Sequence, residues 1–304
     1  MNYAIGIDLG GSSVKAAVVQ PEGDVIRKDH FDFDPREKMP WAEKIRHFVR
    51  HIQQEQNEPA EWIGLSAPGL AAANGLSIAY MPGRLHGLEG LNWTSYLEAE
   101  RTVPVLNDGH AALLGEAWVG AARGYKNAIM LTLGTGVGGA ALVDGRLLRG
   151  HIGRAGHLGH ISLHPDAPRD VCGTPGSLEW AVGNCTVSDR SQKHFHSTRE
   201  LVEAHLAGNP EATAIWLKGI ESLARGVCSF INVLDPEAVI IGGGIARAGS
   251  TLFDPLQKLL DPIEWRPGGH KVKLIPAELG EYAGAFGAAW TALHCESVPE
   301  SQPV

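Results

Sequence analysis

Asp8, Gly10, Gly11, Ser12 and Lys15 fall within one short stretch, Asp-Leu-Gly-Gly-Ser-Ser-Val-Lys, set between two apolar runs. A carboxylate at a strand end can hold Mg2+ through water, while turn amides and a serine hydroxyl can hold phosphate oxygens. Glycines let the backbone approach an anion without a Cβ in the way, and Lys15 places a cation near it. The chain repeats this device: residues 4–19 lie, without a gap, against residues 128–143, which brings Gly134, Thr135 and Gly136 into the second turn. Only the first copy carries the aspartate, Ser12 and the lysine. Each copy reads as strand, tight turn, strand, and two such clamps facing one cleft would hold a polyphosphate such as ATP.

The run from Gly134 to Gly139 also satisfies G-x-G-x-x-G, the dinucleotide fingerprint. That fingerprint needs a helix beginning inside the glycine turn, so that the positive helix end meets the pyrophosphate. Residues 140–145, Ala-Ala-Leu-Val-Asp-Gly, continue instead as strand and turn, and the dinucleotide reading is rejected. A Walker A loop is absent as well, because Lys15 lacks the G-x-x-x-x-G spacing before it.

These residues need elements to position them. Residues 3–30 read as three strands, and residues 39–56 as a helix with Trp41, Ile45, Phe48, Val49 and Ile52 at helical spacing. Residues 62–66 read as a buried strand, and Thr94 as the cap of a short helix running to Glu100. A strand over 103–106 delivers Asn107 and Asp108 at its carboxyl end, the edge where ligands bind in open α/β sheets, and 109–120 reads as helix. In the second half, Asp144-Gly145 marks a further hairpin turn, followed by a glycine- and histidine-rich insertion over 150–174. Helices are predicted over 176–182, 198–207 and 211–234, strands over 238–241 and 271–275, and a small-residue helix over 281–293. The same order of hairpins then βαβα units, met twice, predicts an amino-terminal lobe over 1–120 and a larger lobe over 121–295. The last helix is expected to pack back on the first lobe, and 296–304 to form a flexible tail.

The 304 residues suffice for two cores. Hydrophobic content of 44% and charged content of 20% are those of a soluble globular chain. A net charge of −8 without basic clusters argues against nucleic acid. No basic n-region and no membrane-length apolar run appear, so neither a signal peptide nor a membrane partner is expected. Cys172, Cys185, Cys228 and Cys295 lack CxxC spacing, which points to reduced thiols in the cytoplasm.

Taken together, the sequence resembles the ROK family of repressors and sugar kinases, within the actin-like, hexokinase-like ATPases. The resemblance covers nearly the whole chain. It rests on the Asp8-to-Lys15 hairpin, Ala67-Pro68-Gly69, Asn107-Asp108, the Gly134-to-Gly139 turn, Gly156-His157-Leu158-Gly159-His160, Cys172-Gly173 with Gly176 and Glu179, and Gly242-Gly243-Gly244. It implies an α/β fold of two actin-like (ribonuclease H-like) lobes, each a mixed β-sheet flanked by helices, around a central cleft. It further implies transfer of phosphate from ATP, with Mg2+, to a sugar hydroxyl, foremost the 6-hydroxyl of a hexose. Kinase action on another sugar or polyol, or a catalytically weak sugar-binding regulator, are the alternatives. Asp108 is then the general base, and Gly69, Asn107, Asp108, His157, His160 and Glu179 face the sugar. Gly243 and Gly244 join the nucleotide side, and the protein is a homodimer. ROK repressors carry an additional helix-turn-helix module, which is not expected here because the first strand begins at Tyr3.

The chain departs from the family in one loop. Many relatives carry Glu-x-Gly-His followed by Cys-x-Cys-Gly-x-x-Gly-Cys-x-Glu, in which the histidine and three cysteines bind a structural zinc. Here His157 replaces the first glutamate, and the cysteine positions read Asp170, Cys172 and Ser177. Structural zinc favours four Cys or His ligands, so no zinc is expected. The lost glutamate matters for specificity: a carboxylate only accepts hydrogen bonds, whereas neutral His157 offers one donor and one acceptor. The preferred sugar is therefore expected to differ from glucose or N-acetylmannosamine at the ring positions this group touches.

Overall fold

The computed structural model describes residues 2–34, 36–37, 39–83 and 85–295. The expected tail over 296–304 lies outside the described residues. The chain forms two compact units. The first is built from residues up to Arg123, from Arg149–Ala155 and from Leu279 onward; the second comprises Gly124–Leu148 and Gly156–Glu278.

Unit 1 holds β1 (Ala4–Leu9), β2 (Ser13–Val19), β3 (Val25–Asp32), β4 (Trp62–Ala67) and β7 (Val105–Asn107) in one sheet, ordered β3-β2-β1-β4-β7. A small β5 (Leu70–Ala71) and β6 (Ile78–Tyr80) hairpin stands apart. β1 pairs antiparallel with β2 and parallel with β4, and β4 parallel with β7. The central strand is covered on both faces: Ile5, Ile7 and Leu9 are buried on one, Ala4 and Gly6 on the other. Helix α1 (Pro40–Gln56) covers one face with Trp41, Ile45, Val49 and Ile52, the stripe its periodicity predicts. Helix α2 (Trp93–Leu97) is capped by Asn92, whose side chain accepts from Ser95 N. The predicted Thr94 cap is therefore corrected. Thr94 is already inside the helix, and its hydroxyl accepts from Val103 N. Helix α3 (Asp108–Val119) follows β7 directly.

Unit 2 repeats the plan. Its sheet is ordered β10-β9-β8-β11-β12, with β8 (Ala128–Leu133), β9 (Val137–Val143), β10 (Arg146–Leu147), β11 (Ala238–Gly242) and β12 (Lys273–Pro276). Asp144 and Gly145 both have positive φ, 51° and 75°, as a two-residue hairpin turn demands. Helices α4 (Leu178–Val182), α5 (Val187–Arg190), α6 (Thr198–Leu206), α7 (Pro210–Leu234) and α8 (Ser250–Leu260) complete the unit. Trp216, Ile220, Leu223 and Val227 of α7 share a core with Ile129, Leu131, Val239 and Ile241 of the sheet.

Helix α9 (Ala283–His294) belongs to unit 1, although unit 2 precedes it in the chain. It lies on β1, β4 and α3. Small residues make this approach possible: a Cβ at Gly64 would collide with the Ala288 carbonyl, and one at Gly287 with the Ala111 carbonyl. Among the described residues, no helix is long and apolar enough to cross a membrane.

Candidate active site

In unit 1, Asp8 is the half-buried penultimate residue of β1 and sits in one cross-strand row, between Lys15 on β2 and Ser66 on β4. The Ser66 hydroxyl donates to Asp8 Oδ1. Desolvation lifts the Asp8 carboxyl to about 6; the Ser66 bond opposes this, nearby Asp108 adds to it, and Lys15 opposes it. Two carboxylates that repel one another, one of them desolvated, suit a divalent cation held through water. Lys15 is anchored, its Nζ donating to Ser13 Oγ at 2.7 Å. Ser12 and Gly11 are exposed at the turn, and Gly10 N donates to Ser13 O at 2.8 Å.

Asn107 ends β7 and caps α3. Its Oδ1 accepts from Gly109 N at 2.9 Å and from His110 N at 3.2 Å. Its Nδ2 donates to the Gly69 carbonyl at 3.0 Å and to Asp108 Oδ1 at 2.8 Å. The amide's groups are thus committed inside unit 1, and their visible work is to hold Asp108. Gly69, at φ 100°, supplies the carbonyl that orients this amide. Asp108 is exposed on the first turn of α3, with Gly109 N also donating to its Oδ1 at 2.8 Å. A carboxylate there is favoured by the helix dipole.

In unit 2, the second glycine turn is shorter than the first. Gly10 to Ser13 separate the paired Leu9 and Val14, whereas only Gly134 to Gly136 separate Leu133 and Val137. The ungapped alignment of the two copies is therefore corrected: Val14 corresponds to Val137, one residue earlier than a gapless repeat places it. The turn is clasped from behind, Gly134 O accepting from Asn184 N at 3.0 Å and Thr135 O from Cys185 N at 2.8 Å. Glu179, buried on α4, accepts from Val137 N through Oε2 at 3.0 Å. A Cβ at Gly136 would strike that same oxygen. At Gly11 and Gly134, by contrast, a Cβ would meet nothing within 4 Å, and neither has a positive φ. Nothing inside the protein requires glycine at those two positions.

His157 precedes the 3-10 turn Leu158–His160, and both histidines are half-buried. Gly159 packs on the Val137 carbonyl, so the turn and Glu179 meet at the start of β9. Gly243, at φ 85°, abuts the Leu133 backbone, while Gly244 is open. Within each unit the expected residues assemble: Asp8, Lys15, Asn107 and Asp108 in one, the glycine turn with His157, His160 and Glu179 in the other. Sequence reasoning missed Ser66 and Gly284. A Cβ at Gly284 would lie 2.6 Å from Asp8 Cγ, and the small-residue run of α9 was the available signal.

A ROK family sequence profile matches residues 4–294. The chain belongs to the ROK family. It is 34% identical to a glucokinase of Thermotoga maritima over 309 residues, covering 94% of this chain and 95% of that protein. Among solved structures it resembles a ROK hexokinase from Thermus thermophilus, with TM-score 0.84, 31% identity and coverage of 95% and 97%. It also resembles a ROK glucokinase from Streptomyces griseus in complex with glucose and AMPPNP, with TM-score 0.77, 26% identity and coverage of 97% and 100%. The fold is thus the actin-like ATPase fold, in its ROK form.

The ROK zinc loop can be tested against this geometry. His160, Asp170 and Cys172 cluster, but Asp170 Oδ2 engages His160 Nδ1 at 2.8 Å and Cys172 Sγ faces Nε2 at 3.5 Å. The cluster offers one Cys, one His and a carboxylate, with Ser177 in the remaining family position, short of the four Cys or His ligands that structural zinc favours. The donor set does not fit a closed structural zinc.

Proposed function

We propose that this chain transfers the γ-phosphoryl group of ATP to the 6-hydroxyl of a hexose, with Asp108 as general base. ATP-dependent sugar kinase activity is the coarser statement that its ROK membership and glucokinase relatives support plainly. The observation that carries the finer reading is the exposed Asp108 carboxylate, held by the Asn107 amide and Gly109 N at the start of α3 beside the desolvated Asp8.

Asp108 takes the proton from the sugar hydroxyl as that oxygen attacks phosphorus. General-base help of this kind contributes about 10² to 10⁴ in rate. Asp8 is the residue that would hold Mg2+ through water, which supplies charge neutralisation to the phosphates. Backbone amides at Gly11, Thr135 and Gly136, with Ser12, are the phosphate donors we assign; the Gly10 and Gly134 amides bond within their own turns, where the missing Cβ lets the backbone approach the phosphate, and Gly244 lies open for the nucleotide. Glu179 and His160 orient sugar hydroxyls. His157, where relatives carry glutamate, favours a second reading within the same chemistry, a sugar other than glucose, because an imidazole can donate where a carboxylate cannot.

The test is a coupled ADP-release assay over hexoses, amino sugars and polyols. Asp108→Asn is expected to cut turnover at least about 10²-fold while sugar binding persists. Near-wild-type turnover in that variant would reject the assignment.

A further inference from the structure

We propose that Asp170 is the positioning residue that makes this sugar site independent of zinc: one buried carboxylate ties His160 to the helix carrying Glu179. The proposal rests on the sugar-kinase reading of those two residues. Its own evidence is a hydrogen-bond network wholly inside unit 2.

The Asp170 side chain is 1% exposed, a burial that an ionised carboxylate tolerates only with several donors. It has three, with a hydroxyl beside them. Oδ2 accepts from His160 Nδ1 at 2.8 Å; Oδ1 accepts from Cys172 N and Thr174 N, each at 2.9 Å; and the nearby Ser177 hydroxyl favours the charged form. Burial works against ionisation, and His160, Ser177 and Thr174 outweigh it, holding the carboxyl below its ordinary value.

Each of these groups connects Asp170 to a different part of the loop. Ser177 is the N-cap of α4, its Oγ accepting from Trp180 N at 3.1 Å, and Glu179 lies in the first turn of that helix. The Ser177 hydroxyl beside Asp170, and the bond from Leu178 N to Ile161 O at 3.0 Å, thus join the His160 segment to the helix bearing Glu179. Around it the loop closes on itself: Asp170 N donates to Thr174 O at 2.9 Å, Leu163 N to Gly176 O at 2.9 Å, and Ser162 Oγ to Pro175 O at 2.6 Å. Because Nδ1 donates to an ionised carboxylate, the neutral His160 ring keeps its lone pair on Nε2. That nitrogen then accepts, from the nearby Cys172 thiol or from a sugar hydroxyl. Fixing a ring's tautomer and angle through a carboxylate on its other nitrogen is how supporting groups tune active-site histidines.

The experiment compares wild type, Asp170→Asn and the double variant D170C/S177C, which restores three thiols around His160. Wild-type protein is expected to contain far less than one zinc per chain and to keep its sugar KM after chelator treatment. Asp170→Asn is expected to raise the sugar KM about 10- to 100-fold with a much smaller change in the ATP KM. The double variant is expected to bind one zinc per chain and to recover a sugar KM that chelators then abolish. One tight zinc per wild-type chain, or an unchanged sugar KM in Asp170→Asn, would overturn the proposal. Should Asp170→Asn fail to fold, nitrogen-15 NMR of wild-type His160 decides: an Nδ1-protonated ring indifferent to chelators supports the proposal, and an Nε2-protonated ring sinks it. If no sugar is phosphorylated by any form, the kinase reading fails instead, while zinc content and the ring tautomer still report on Asp170.

Discussion

Asp8 is the residue whose chemistry is most altered by its surroundings. Its carboxyl is raised to about 6 because desolvation and Asp108 outweigh the help of Ser66 and Lys15. A raised folded value means that the folded state binds a proton the unfolded chain has released. The stabilisation this brings is complete below about pH 4 and is lost as pH rises through about 6, roughly 2–3 kcal/mol in all. In protein free of nucleotide and divalent cations, wild type should therefore lose stability relative to Asp8→Asn between pH 4 and 7. Thermal melts of both proteins across that range check this, and parallel profiles would show that Asp8 is not strained. Asn107 carries a different lesson. Its pairing with Asp108 is plain in the sequence, but its commitment to Gly69, Gly109 and His110 depends on β7 ending where α3 begins.

At the level of elements, the two glycine turns differ in what holds them. Gly136 is required by the protein itself, since Glu179 fills the space of its Cβ. Gly134 and Gly11 are not, and their φ angles suit any residue. Gly134→Ala should leave the melting temperature unchanged or slightly raised, by up to about 1 kcal/mol in stability, because alanine restricts the unfolded chain. The same change should raise the ATP KM about 10-fold or more if phosphate approaches that backbone. An unaltered ATP KM, measured by steady-state kinetics, would remove the turn from the nucleotide site. The sequence displayed the hairpins but not their unequal length, because a one-residue deletion within glycines leaves the apolar pattern of β9 readable in either register.

For the molecule as a whole, the unit that carries Asp8 and Asp108 is closed by a helix from the far end of the chain. Ala285, Phe286 and Ala289 of α9 share a core with Ala4, Ala17 and Val19. Gly6 and Gly64 on the sheet, and Gly115 on α3, have no room for side chains beneath it. A chain of residues 1–123 alone should therefore lack a cooperative thermal transition, and joining residues 279–295 to it through a flexible linker should restore one. Circular dichroism melts decide the matter. A cooperative melt of the shorter chain would mean that α9 is dispensable to this unit.

The sequence by itself determined what local patterns encode. The apolar runs, the turn residues, the helical stripe of α1 and the repeated order of elements follow from side-chain periodicity and backbone preference, which act over a few residues. Asp170 was visible only as a missing cysteine. That it gathers His160 and two backbone amides beside Ser177, that Ser66 bonds Asp8, and that Gly284 makes room for that carboxylate were decided by tertiary structure. The contacts to Asp8 join residues far apart in the chain, those of Asp170 close one short loop, and the energies of both depend on burial and direction, which one-dimensional spacing does not contain.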